Sequence, residues 1–124
     1  MNVVDSCGWL EFLAEGQNAA FFAPVLSNEV ELLLPRLVVF EVVKRLHAWG
    51  NRHALAQTLK VMSRLPLVDL DVPQLAQAAQ ASQQYKLHMA DAIIWQTAQS
   101  QTATLYTQDA ALADLPGVAY RAKA

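Results

Sequence analysis

The sequence predicts an α/β fold: a three-layer α/β/α sandwich around a short, mostly parallel central sheet. Three observations lead there. Short apolar runs that suit strands alternate with longer segments of helical periodicity. One or more helices separate each strand candidate from the next, which requires crossovers and therefore parallel strands. The chain, 124 residues long, 54% hydrophobic and 16% charged, carries enough apolar side chains to cover a sheet in one domain, residues 1–124.

The elements follow in order. Asn2 to Val4 reads as a buried strand that runs into Asp5-Ser6-Cys7-Gly8, a turn with helix-capping chemistry. Trp9 to Glu15 has apolar residues at 9, 10, 12 and 13, a helical spacing closed by Gly16. Gln17 to Leu26 suits a second short helix, and Val30 to Leu34 a strand stopped by Pro35, which can open the next helix. Leu37 to Trp49 is a helix ended by Gly50-Asn51, and His53 to Leu65 another that ends before Pro66. Leu67 to Leu70 is a short strand. Asp71-Val72-Pro73 opens a helix to about Tyr85, and Met89 to Gln101 forms one more. Thr104 to Tyr106 is a strand, Asp109 to Leu115 a helical turn, and Val118 to Tyr120 the last strand.

Composition excludes several classes. No apolar run approaches the roughly 20 residues of a membrane span, and the start of the chain lacks the basic and apolar regions of a signal peptide. A single cysteine, Cys7, cannot form an internal bridge and fits a reducing cytoplasm. There is no Cys/His cluster at zinc spacing, no Gly-rich phosphate loop and no nucleophile elbow. The formal charge of −2 counts against nucleic-acid binding, where a basic footprint is the rule.

The informative residues are acids standing where the pattern calls for apolar side chains. Asp91 shares a helix face with Ile94, Trp95 and Ala98, and Glu41 lies among Leu37, Val38, Phe40, Val42 and Val43. Asp5 and Asp109 each follow a strand, at its C-terminal end. Each also has a local reading. Asp5 and Asp109 could cap the turns they precede, Asp91 could favour a helix dipole, and Glu41 could pair with Lys44 or Arg45. In an open α/β sheet, however, the crevice lies beyond the C-terminal strand ends. Four carboxylates meeting there would repel one another unless a divalent cation joined them. Oxygen ligands select Mg²⁺ or Mn²⁺ over zinc.

Four stretches then resemble a known family. Val3-Val4-Asp5-Ser6, Val38-Val39-Phe40-Glu41-Val42, Met89-Ala90-Asp91-Ala92-Ile93-Ile94 and Leu105-Tyr106-Thr107-Gln108-Asp109 look like the four acidic motifs of PIN domains, in the family's order and separations. Within that family the compact length and motif wording look most like VapC-type toxins of bacterial toxin–antitoxin modules. The resemblance implies an endoribonuclease dependent on Mg²⁺ or Mn²⁺, held inactive by a cognate antitoxin and usually a homodimer. Its acidic quartet would be Asp5, Glu41, Asp91 and Asp109, with Ser6 and Thr107 at polar positions that support the metal shell. Asp109 is followed by Ala110-Ala111 where the family often has an aromatic residue, so Asp114 stands as a possible substitute.

On that reading, metal-activated water would hydrolyse an RNA phosphodiester, with Asp5 and Asp91 as principal ligands and Glu41 and Asp109 outside them or on a second ion. Two bound divalent ions would also reverse the sign of the net charge. Arg36, Lys44, Arg45 and Arg52 cluster in one helical region, either as a solvated face or, for Arg36, Lys44 and Arg45 above all, as contacts to RNA phosphates. A receiver domain would need paired acids after the first strand and a late lysine at the site; Asp5 has no acidic neighbour and Lys123 is at the tail. A non-catalytic binding module would have lost acids, and a PIN nuclease that matures RNA without an antitoxin would look the same as a toxin.

Other residues receive structural readings. Asp71 is expected as a helix cap, Asp69 as its neighbour, and His88 as a surface or capping histidine. Trp9, Trp49 and Trp95 are expected as core or interface anchors. Phe21, Phe22, Leu26 and the Trp49 face are candidates for a dimer or antitoxin contact.

Overall fold

The computed structural model describes residues 1–124. Strands β1 (Asn2–Val4), β2 (Leu32–Pro35), β3 (Leu67–Val68), β4 (Thr104–Thr107) and β5 (Val118–Tyr120) form one sheet in the order β3-β2-β1-β4-β5. Every neighbouring pair is parallel. Helices α1 (Ser6–Leu13), α2 (Ala19–Ser27), α3 (Arg36–Trp49), α4 (Arg52–Met62), α5 (Val72–Tyr85) and α6 (Met89–Ser100) supply the crossovers and complete the three-layer α/β/α sandwich. The strand order reverses at β1: the chain passes from β1 to β2 on one side and returns through β4 on the other. Such a switch point opens a crevice beyond the carboxyl ends of the two strands.

Local chemistry accounts for the elements. Gly50 closes α3 in the left-handed conformation at φ 71°, which costs glycine nothing. Asp71 and Gln74 form a reciprocal capping box at the start of α5, with Pro73 in its first turn. On α3 the residues Val38, Val42 and Leu46 are buried, a repeat of four that turns one stripe inward. The core they join includes Val3, Val4, Phe22, Leu32, Leu34, Ile94, Leu105 and Leu112. Burying a side chain of this kind contributes roughly 1.5–3 kcal/mol, so these positions hold the sheet between its helices.

Several boundaries differ from the sequence expectation. Helix α1 begins at Ser6 rather than Trp9, because Asp5 caps it and Gly8 permits close packing. A Cβ at Gly8 would lie 2.6 Å from both Phe22 and Val4. Strand β2 begins at Leu32, since Glu29–Glu31 forms a 3₁₀ turn that leaves Val30 in solvent. Strand β3 stops at Val68, where Asp69 accepts the Leu70 N–H and turns the edge away. Phe22 and Leu26 are core residues, not surface contacts, because α2 turns them into the buried cluster, with Phe22 against Gly8, while Trp49 is exposed. Trp9 and Trp95 are buried.

Candidate metal centre

Three elements converge on the crevice between β1 and β4. Asp5 follows β1 directly, and its own N–H donates to the Tyr106 carbonyl at 2.9 Å, which ties it to β4. Asp109 comes two residues after the last residue of β4 and caps the 3₁₀ turn Ala110–Leu112. Asp91 is the third residue of α6, in the first turn, where the helix dipole favours an acid. One carboxylate oxygen from each of these three lies within 4.8 Å of the other two.

The local and convergent readings of these acids hold together. Asp5 Oδ1 accepts the Ser6 N–H at 2.8 Å, and Asp109 Oδ1 accepts the Ala111 N–H at 3.0 Å. An ionised carboxylate has about four lone-pair sites, so a cap bond leaves capacity for a shared ligand. Thr107 joins the two acids. Its hydroxyl donates to Asp5 Oδ2 at 2.9 Å and accepts the Asp109 N–H at 3.0 Å. Ser6 performs the corresponding task on the other side, donating from Oγ to Glu41 Oε1 at 3.0 Å. Glu41 is thus linked to the group through Ser6 but stands outside the three-acid cluster.

Electrostatics make the cluster unfavourable by itself. Burial pushes the Asp91 carboxyl up to about 6, and the charges of Asp109, Asp5 and Glu41 push the same way. Asp5 is also raised, chiefly by burial, against the opposing hydrogen bonds from Thr107, Cys7 and Ser6. Glu41 is raised by burial, with Ser6 and Lys44 acting against the shift. Lys44 eases Glu41 from a distance, but no cation forms an ion pair with any of these acids. The chain's ion pairs join Arg36 to Asp69, Arg64 to Glu29 and the N-terminus to Glu31, all elsewhere. The oxygen-only donor set of Asp5, Asp91 and Asp109, with no ion pair to any of them, fits a hard divalent ion such as Mg²⁺ or Mn²⁺.

The remaining candidates are placed as follows. Asp114 is exposed and lies outside the cluster, whereas Asp109 is within it. Arg36 donates from Nε to Asp69 at 2.7 Å, away from the acids. Lys44 and Arg45 line a cleft together with Glu41, Phe40, Met89 and Ala90, formed by one face of α3 and the start of α6. His88 is exposed and makes no side-chain cap bond.

Sequence reasoning missed two supports. Cys7 donates from Sγ to Asp5 Oδ2 at 3.4 Å and touches Thr107 Oγ1 at the same distance. Burial and the Asp5 charge push its thiol up to about 12, so it stays a neutral donor. The buried pair Asn18 and Gln108 meets at 3.0 Å, and Asn18 Nδ2 also donates to the Ala122 carbonyl at 2.9 Å. These bonds pin the segment that presents Asp109. The placement of Cys7 two residues after Asp5 was a usable signal; for Asn18 and Gln108, 90 residues apart, there was none.

The geometry can be set beside known proteins. The family model described as PIN domain matches residues 3–118. No curated protein matches the sequence. Among solved structures, one chain of a toxin-antitoxin complex from Klebsiella pneumoniae superposes with a TM-score of 0.76 and 23% identity, covering 96% of each chain. VapBC2 from Rickettsia felis, bound to a DNA fragment from its promoter, gives 0.72 and 12%, covering 99% of this chain and 98% of that one. FitAcB from Neisseria gonorrhoeae gives 0.70 and 20%, covering 97% and 96%. At these identities the structural likeness establishes the fold.

Proposed function

The chain belongs to the PIN-domain family, and on that premise we propose that it is a metal-dependent endoribonuclease, the toxin of a toxin–antitoxin module. The single observation that carries the nuclease reading is the meeting of Asp5, Asp91 and Asp109 within 4.8 Å at the switch point of the sheet. The toxin reading draws on the likeness to a chain of a toxin-antitoxin complex over nearly the full length of both. It brings with it a cognate antitoxin and a homodimer as expected partners.

In this reading Asp5, Asp91 and Asp109 hold Mg²⁺ or Mn²⁺, and Glu41 acts from outside, through Ser6 or through water. When bound, the ion would lower the pKa of water at the site and offset charge on the RNA phosphate. The protein's own part is preorganisation. Thr107, Cys7 and the Ser6 N–H hold Asp5 in one orientation through three separate bonds. Asp91 keeps a proton below about pH 6 and releases it for a cation. Lys44 and Arg45, on the α3 face beside Glu41, offer charge to the phosphates that flank the cut. Arg36 is a more distant candidate for the same role, since Asp69 already engages it.

Purified chain incubated with total RNA tests this. Discrete fragments in Mg²⁺ or Mn²⁺ that vanish with chelator are expected, and Asp5→Asn and Asp91→Asn should fold yet fail to cut. Cutting that persists in both variants would reject the site.

A further inference from the structure

Past β5 the backbone is fixed at two points beside the crevice. The Arg121 N–H donates to the Thr107 carbonyl at 3.1 Å, and Asn18 Nδ2 donates to the Ala122 carbonyl at 2.9 Å. Arg121 therefore stands at the carboxyl ends of the strands, next to the residue whose hydroxyl holds Asp5. Its side chain is placed as well. The guanidinium carbon lies 4.9 Å from the centre of the Phe21 ring. That ring is itself set by Phe22, edge-on at 5.0 Å, and by Tyr106 at 5.8 Å.

Arg121 is exposed and belongs to none of the ion pairs. A guanidinium over a ring is held by its flat face, so the N–H donors along its edge stay available to an acceptor. Two parallel N–H groups of that edge match two oxygens of a phosphate. Because ring and backbone already fix the fork, less freedom is lost when it binds. Position narrows the acceptor further. β5 lies two strand spacings, about 10 Å, from β1. Lys44 and Arg45 are on α3, which follows β2, so β1 and β4 separate the strand leading to them from the strand leading to Arg121. An acidic protein segment could meet one arginine, but cations on both sides of a crevice suit a ligand whose charge repeats along its length.

Resting on the nuclease reading above, we propose that Arg121, braced on Phe21, anchors an RNA phosphate on the β5 side of the crevice, separate from those met by Lys44 and Arg45. Arg121 is the binding residue, and Phe21 is a positioning residue that acts through it. The RNA is thereby held on both sides of the cut.

Binding and cutting are measured separately. In an Asp91→Asn background, fluorescent oligouridylate is titrated by anisotropy over a series of salt concentrations. Arg121→Ala should weaken binding about tenfold, the loss of one charged hydrogen-bonding group, and reduce the salt slope by about 0.7. Its melting temperature should stay close to the parent's. Arg121→Lys should keep the slope and recover only part of the affinity. Phe21→Leu should cost about two- to fivefold and add nothing once Arg121→Ala is present. With the acids intact, Arg121→Ala should raise KM for RNA with little change in kcat. On an RNA with one cleavage site, shortening one end should abolish the effect of Arg121→Ala, and shortening the other that of Lys44→Ala. Unchanged affinity and slope in Arg121→Ala would overturn the anchor, leaving the cation to a protein partner. So would a loss that follows melting temperature with the slope unmoved, or one truncation that abolishes both effects. Each of these, beside normal metal-dependent cutting, leaves the nuclease intact. Absence of cutting in every chain, with the Arg121 series preserved in binding, would instead remove the nuclease reading and keep the anchor.

Discussion

Two groups of carboxylates in this chain stand in opposite electrostatic positions. Glu29 and Asp69 lie on the surface and have each found an arginine: Arg64 for Glu29 at 2.9 Å and Arg36 for Asp69 at 2.7 Å. Their carboxyls are held below the usual range, Glu29 by the Arg64 hydrogen bond and Asp69 by the Leu70 N–H and then Arg36. Asp5, Asp91 and Glu41 are raised, each by burial first and then by acidic neighbours: Asp109 acts on Asp5, Asp5 on Glu41, and Asp109, Asp5 and Glu41 on Asp91. The first group is complete as folded. The second has no ion pair within the chain and is suited to a cation from outside, and perturbed carboxylates gathered in a crevice are candidates for a site of function.

The two groups should differ most in activity. Asp5→Asn or Asp91→Asn should lower RNA cleavage by on the order of a hundredfold or more, given that losing even an outer support of a metal site costs about 10–100-fold. Asp69→Asn should leave the rate alone. Thr107→Val keeps the shape but takes a hydrogen bond from buried Asp5 and from the Asp109 N–H. It should therefore fall between them, about 10–100-fold down. A rate for Thr107→Val equal to that of the parent would mean that Asp5 needs no orientation.

Stability should move in the opposite sense to activity at Asp91. Its carboxyl titrates near 6 in the folded chain against 3.8 ordinarily, so the folded form binds the proton more tightly. The stabilising contribution is present below about pH 4 and is lost as pH rises through about 6. Metal-free protein should thus melt at a lower temperature at pH 7 than at pH 5, with the raised Asp5 and Glu41 adding to the fall. Asp91→Asn removes the repulsion and should melt higher than the parent at pH 7 without metal. Mg²⁺ at about a hundred times its Kd should restore about 2.7 kcal/mol to the parent and much less to the variant. Differential scanning fluorimetry across pH, with and without Mg²⁺, reads all of this. A parent whose melting temperature rises from pH 5 to pH 7 without metal would contradict the assignment.

How much of this was legible in the sequence depends on the range of the interaction. Helices α3, α5 and α6 could be read because periodicity, Gly50 and the Asp71 cap act within a few residues. The acids could be read because each interrupts an apolar pattern locally. Their meeting could not follow from spacing alone, for Asp5 and Thr107 are 102 residues apart and touch only because β4 pairs with β1. The expected parallel sheet, with its crevice beyond the C-terminal strand ends, supplied that juxtaposition, and the family resemblance agreed with it. The late start of β2 was hidden because Glu29 is held by Arg64, 35 residues away; the early end of β3 turns on the local bond from the Leu70 N–H to Asp69, which an apolar run does not reveal. The supports from Asn18 and Gln108 were hidden too: polar residues in loops carry no periodicity to betray a buried partner.

The subtlest difference between paired and unpaired charge should show at the cations. Arg36, Lys44 and Arg45 lie on one helix and share one charge, yet the fold separates them. Arg36 is neutralised at the edge of the sheet by Asp69, whereas Lys44 and Arg45 are unpaired beside Glu41. A phosphate that approached Arg36 would have to displace a carboxylate already in place, while at Lys44 and Arg45 it displaces only water. Lys44→Ala and Arg45→Ala should each raise KM for RNA several-fold. Each should also flatten its dependence on salt, since a chain that neutralises fewer phosphates releases fewer counterions. Arg36→Ala should raise KM less than either. Its melting temperature should also change little, because an exposed ion pair contributes little net stability. Steady-state kinetics at two ionic strengths separate the three residues. An Arg36→Ala chain with the steepest loss of the three would show that RNA follows the edge of the sheet rather than the cleft.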